Sequence, residues 1–193
     1  MKTFVTLALA VIFIASSTWG EVRKPSVSKS PMDPDQLAVY RLFLRKYEKG
    51  NTARLNLSDL TSTFSPNDAR CMQGIEFDPV GSYRSVIHRF DPRTTFPGNV
   101  QLVDPEQQQE AVRQNDPGPT GHQGKDVSTA VEAGFSAGFL RLSEVAFDKN
   151  HRYAAMSFSF VCGGLCGHGS TVVFEKKNGK WYELKRACSV WVS

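Results

Sequence analysis

Met156-Ser-Phe158-Ser-Phe160-Val-Cys162-Gly-Gly-Leu-Cys166-Gly-His168-Gly169 is the stretch on which the fold turns. Met156, Phe158 and Phe160 alternate with Ser157 and Ser159, the period of two expected of a strand with one buried face. The glycine-rich loop joins this strand, Arg152 to Val161, to Thr171-Val-Val-Phe174. Asn178-Gly179 then supplies the strongest short hairpin signal. Trp181 to Val192 follows, with Tyr182, Leu184, Cys188, Val190 and Val192 on one parity. Upstream, Phe139 to Phe147 runs into an Asp148-Lys-Asn-His151 turn. The pattern predicts a C-terminal meander of four antiparallel strands.

Before the meander the signals are helical. Asp33-Pro34-Asp35-Gln36 places an N-cap acid before a proline at the first helical position, and Gly50 marks a stop. Leu37, Tyr40, Leu44 and Tyr47, with Phe43 alongside, form the apolar stripe between them. Asp104-Pro105-Glu106-Gln107 repeats the start signal for a polar helix to about Gln114, with only Ala111 and Val112 to bury. Asp126 opens a third helix in which Val127, Ala130, Val131 and Phe135 face one way until Gly134 and Gly138 end it. Leu55-Asn-Leu57-Ser and Ser85 to Phe90 read as short strands, and 115–124 as a long exposed loop. The expected class is α+β: about three helices packed against an antiparallel sheet.

Lys2, the apolar run Phe4 to Ala15 and the small or polar residues through Gly20 have the layout of a secretory signal peptide, 1–20. Residues 21–32 read as a flexible leader and 33–193 as one α+β domain. A net charge of +4, spread along the chain, leaves no nucleic-acid footprint. Beyond the signal peptide no apolar stretch reaches the roughly 20 residues of a membrane span. A secreted or periplasmic location is expected.

In that compartment four cysteines, Cys71, Cys162, Cys166 and Cys188, favour disulfides, with three connectivities open. Pairing Cys162 with Cys166 closes a very short loop, worth about 2 kcal/mol in the chain-entropy model; pairing Cys71 with Cys188 closes a long one, worth about 5. The alternative is a zinc site from Cys162, Cys166 and His168, completed by Cys188 or a water. The disulfide reading is preferred, with no metal and no cofactor.

The last third resembles the terminal region of an uncharacterised group of exported bacterial proteins. Cys162 to Gly167 forms the group's C-G-x-L-C-G loop, Phe174-Glu175-Lys176 its next strand, Gly179-Lys180-Trp181 its hairpin and Trp191-Val192-Ser193 its ending. The resemblance implies an exported α+β protein and brings no activity with it.

Catalytic signatures are thin. His88, His122, His151 and His168 are scattered, and no nucleophile elbow, zinc-protease helix motif or phosphate-binding glycine loop occurs. His168 between Gly167 and Gly169 stands at a loop tip where Glu144 or Ser170 would have to approach it as base or nucleophile. Trp181 and Trp191 fit either core positions or a carbohydrate or peptide platform. The expected function is an exported non-catalytic binding or envelope-associated domain with a protein, peptide or glycan partner. The alternative is a small hydrolase or metal-dependent enzyme centred on the Cys162–His168 loop.

Overall fold

The computed structural model describes residues 24–49, 53–65, 74–77, 81–116, 118, 126–164 and 166–193. The signal-peptide segment, Gly50, Cys71, His122 and most of the 115–124 loop lie outside the described residues. In chain order the elements are β1 (Ser26–Val27), α1 (Pro34–Tyr47), β2 (Leu55–Ser58), a short 3-10 turn (Ser82–Arg84), β3 (Val86–Ile87), β4 (Val100–Val103) and α2 (Pro105–Gln114). They continue with α3 (Val127–Ala137), β5 (Phe139–Leu142), β6 (Ala146–Phe147), β7 (Tyr153–Gly163), β8 (Cys166–Lys177) and β9 (Lys180–Val192).

Each helix begins where its capping acid predicts. Asp33 accepts from Asp35 N at 2.7 Å and Gln36 N at 3.4 Å, Asp104 from Glu106 N and Gln107 N at 3.0 Å each, and Asp126 from Thr129 N at 3.1 Å. These bonds satisfy backbone donors that the first turn leaves without partners. No helix among the described residues is long and apolar enough to cross a membrane.

The main sheet runs β4-β2-β5-β7-β8-β9, with β6 also on β7. From β5 onward every pairing is antiparallel, and β8 turns into β9 through Asn178 and Gly179, whose φ values of 51° and 74° are those of a two-residue hairpin turn. The expectation of a wholly antiparallel sheet fails at the other side, where β2 pairs parallel with both β4 and β5. The physical reason is the connection: α2 and α3 carry the chain from β4 over β2 to β5, the crossover that parallel strands need. Within the segment before Asp33, Ser26–Val27 pairs parallel with β3.

Alternation along the meander separates two apolar layers. Leu140, Leu142, Met156, Phe160, Val172 and Phe174 pack with Val39, Tyr40, Phe43 and Leu44 of α1. Ala146, Ala155, Val173 and Cys188 form a second layer with Phe64 and Tyr83. A fully buried side chain of this size contributes about 1.5–3 kcal/mol. Three expectations about faces need correction. Phe158 is only partly buried, although it packs on Phe43 and Tyr47 at the end of α1. In α3 the small residues Ala130 and Gly134 face inward, whereas Val127, Val131 and Phe135 are exposed. In β9 the expected apolar parity breaks: Tyr182, Val190 and Val192 are exposed while Trp181 is buried. Of the two register shifts against β8, the one-residue shift at Ser189, whose φ is 52°, moves the side chains that follow it from one face to the other.

Candidate functional site

Cys162 and Cys166 close the β7–β8 hairpin as a disulfide with a Cα–Cα distance of 5.1 Å. Cys188 is disulfide-bonded as well. With their sulfurs in that bond, Cys162 and Cys166 present no thiolates to a metal, and among the described residues no three His, Cys, Asp or Glu gather as a ligand set.

His168 is not at a loop tip. It lies within β8 opposite Phe160, half-buried, with Phe158 and Phe160 at centroid distances of 6.0 and 5.6 Å. Its Nε2 is 3.0 Å from Tyr47 Oη, and the two rings stack at 17°. Burial pushes the Tyr47 phenol up to about 12, so the partner of the imidazole is neutral. The glycines beside it serve packing. A Cβ at Gly169 would stand 2.5 Å from Trp191 Nε1 and 2.6 Å from Phe158 O, so only glycine lets the indole lie on the strand. Neither expected helper reaches His168: Ser170 Oγ donates to Cys188 O at 2.8 Å, and Glu144 is engaged elsewhere.

Glu144 is the polar centre of the fold. Leu142 pairs with Phe158 and Ala146 with Ala155, so three residues on the β5–β6 side oppose two on β7. That bulge turns Glu144 out of the ladder and into the protein, at 3% exposure. One carboxylate oxygen accepts from His88 N at 2.8 Å and closely from Thr61 Oγ1. The other accepts from Gln36 Nε2 at 2.8 Å and faces His88 Nδ1 at 3.0 Å. Where the carboxylate oxygen accepts, Nδ1 is the ring nitrogen that donates. Gln36 Nε2 also donates to Tyr40 Oη at 2.9 Å, which donates to Ser143 O at 2.7 Å. Burial, reinforced by the charge of Glu144, holds the Tyr40 phenol well above its ordinary value. Four donors on one buried carboxylate explain how α1, the segments that follow β2 and β3, and the bulge tolerate it at their meeting point.

The His88–Glu144 pair was hidden from sequence reading because its members are 56 positions apart. One signal pointed to it. Counting by two from Leu140 and Leu142, Glu144 falls on the core-facing parity, where a lone acid demands partners. Chemically the pair orients an imidazole, but among the described residues no hydroxyl or thiol bonds to His88 Nε2. No family model, curated protein or solved structure matches the chain. The remaining histidine of the described set, His151, stacks on Phe147 at 4.9 Å in the turn before β7.

An unpartnered surface lies at β9. It is the last strand of the sheet, and no described strand pairs with its outer side. Ser193 N donates inward to Gly167 O at 3.0 Å, so the N–H and C=O of Val192 point outward. Val190, Trp191 and Val192 are 65%, 42% and 79% exposed, and Lys180 and Lys185 are exposed on the same strand. Trp181 does not contribute: it is buried, and its indole donates to Asp35 Oδ1 at 3.2 Å.

Proposed function

We propose that this chain is an exported, secreted or periplasmic, non-catalytic binding domain that takes an extended peptide as an added strand along β9. The observation that carries the reading is the outer edge of β9, which no described strand pairs and which ends in three consecutive exposed apolar residues. An edge of this kind is a template for another strand, and soluble proteins usually blunt it with charge, proline or a bulge. Here Lys185 and the irregularity at Ser189 guard the middle of the strand. Val190 to Val192 carry no such guard. Backbone hydrogen bonds supply affinity in this mode, and the side chains of the edge supply selectivity. The partner is therefore apolar where it meets Val190 and Val192, and acidic where it meets Lys185.

Export is supported by the signal-peptide layout and by the disulfide, a bond that persists in oxidising compartments. The enzyme alternative has less support. It required the Cys162–His168 loop to gather an acid, a nucleophile or thiolates, and His168 meets a neutral phenol beside a closed disulfide.

The test is titration with an acetylated octapeptide of alternating Val and Glu, followed by amide NMR. The expected result is a set of shifts confined to Lys185–Val192 and the Trp191 indole. Val192→Pro removes an outward donor without touching the bonds to β8 and should abolish them. Shifts located elsewhere, or a β9 occupied by a second copy of the chain, would overturn the assignment.

A further inference from the structure

The segment between β1 and α1 is a strap. Ser26 N donates to Ser85 O at 2.9 Å and Ser28 N to Ile87 O at 2.8 Å, and Ser30 N turns back onto Ser28 Oγ at 3.1 Å. From there the chain runs through Pro31 and Met32 into the Asp33 cap. Between this strap, Leu37 of α1 and the Arg89–Thr94 loop lies a cavity of about 520 Å³, within the range of small-molecule sites.

Its floor is apolar and held in place. Phe90 is 2% exposed and lies edge-on to Tyr40 at 5.4 Å and to Phe96 at 5.2 Å. Its N–H donates to Asp59 O at 2.8 Å. Tyr40 is in turn fixed by Gln36 and Ser143 in the Glu144 network. Met32 and Leu37 complete the floor. Ser28, Ser30 and Thr94 also line the cavity, but the side chains of Met32, Leu37 and Phe90 offer water no hydrogen bonds, so displacing water from that part favours an apolar group.

The rim is basic. Arg89 is paired with Asp59, and Arg93 holds Asp91 through two bonds at 3.1 and 2.9 Å. Lys29 is the third cation of the rim and has no carboxylate partner among the described residues. One uncompensated cation above a rigid apolar floor defines a ligand with a single negative group and an apolar body.

We propose that this cavity binds a small amphipathic carboxylate, with Lys29 at its charged end and Met32, Leu37 and Phe90 around its apolar part. The site is separate from the β9 edge and does not depend on the peptide reading.

The experiment uses the mature chain and three probes, hexanoate, 1-hexanol and inorganic phosphate, each titrated by NMR with the methyl and aromatic signals of Met32, Leu37 and Phe90 as reporters. Hexanoate should saturate a single site at these residues and leave β9 unmoved. Lys29→Gln should weaken hexanoate about tenfold, the scale of one rim-exposed charge-assisted hydrogen bond, and leave 1-hexanol unchanged. Met32→Ser should weaken both. Phosphate should not move the floor signals. Equal affinity for hexanoate and 1-hexanol, no effect of Lys29→Gln, or saturation by phosphate alone would each overturn the proposal, as would no binding of hexanoate.

Discussion

Replacing Glu144 by alanine tests the buried network at its centre. Four donors converge on this carboxylate: His88 N, His88 Nδ1, Thr61 Oγ1 and Gln36 Nε2. After truncation three of them retain another acceptor. Thr61 Oγ1 is 3.0 Å from His88 O, His88 N is 2.8 Å from Thr61 Oγ1, and Gln36 Nε2 still reaches Tyr40 Oη at 2.9 Å. Only His88 Nδ1 loses its sole partner, at about 1–3 kcal/mol for a buried donor. Losing the charge-assisted bonds to the other three donors and leaving an unfilled volume raise the sum to about 3–5 kcal/mol, the usual cost of removing one member of a buried pair. For a chain of this size that corresponds to a fall in Tm of about 6–20 °C. Glu144→Gln keeps the shape; its amide can donate to Nδ1 once the imidazole changes tautomer and the Gln36 amide turns its oxygen to accept, so it should cost only about 1–2 kcal/mol. Urea denaturation of both variants is the assay. An alanine variant within about 1 kcal/mol of wild type, or a glutamine variant as unstable as the alanine one, refutes the argument.

Three further outcomes follow from individual residues. Glu48 sits at the C-terminal end of α1 with its Oε2 buried and without a partner, and burial holds its carboxyl above the usual value, only partly offset by a backbone bond from Asn99. The folded chain therefore binds this proton more tightly than the unfolded one, so stability falls as pH rises from about 4.3 through the folded value; Glu48→Gln should raise Tm at pH 7 and flatten that slope in thermal scans. Phe158→Ala should cost about 2–3 kcal/mol, less than a fully buried phenylalanine, because the ring is only partly enclosed, and near-wild-type stability in chemical denaturation would contradict its packing on Phe43 and Tyr47. Exchanging Cys162 and Cys166 together for alanine should remove about 2 kcal/mol, as expected for so short a loop, measurable as a lower urea midpoint with the cooperativity unchanged.

What could be read from the sequence was local. The Asp-Pro helix starts at Asp33 and Asp104, the period of two through Met156, Phe158 and Phe160, and the Asn178-Gly179 turn each carry their cause within a few residues. Strand β4 escaped notice because Val100-Gln-Leu-Val103 has value as a strand only beside Leu55–Ser58, a partner far away in the chain. The same non-local cause made the sheet mixed. A face assignment failed at Ser189, where a register shift exposes Val190 and Val192, and the role of Glu144 was missed because the extra residue of the bulge gathers its partners from distant segments. In α3 the error was one of size. Close packing selected Ala130 and Gly134 for the inner face, so the larger apolar residues that dominate the periodicity ended outside. His168 was assigned to a loop because glycines flank it, yet those glycines are strand residues that make room for Trp191.

The peptide-binding reading stands most directly on the outer edge of β9, and amide hydrogen exchange across Lys180–Val192 measures that edge. With the alternating Val and Glu octapeptide present, the outward amide of Val192 should gain protection while the inward amide of Trp191, already bonded to β8, stays slow. In the Val192→Pro variant the peptide should give no protection anywhere along the strand. An outward edge already slow to exchange in the isolated monomer, or one whose exchange the peptide leaves unchanged at saturating concentration, would contradict strand addition at β9.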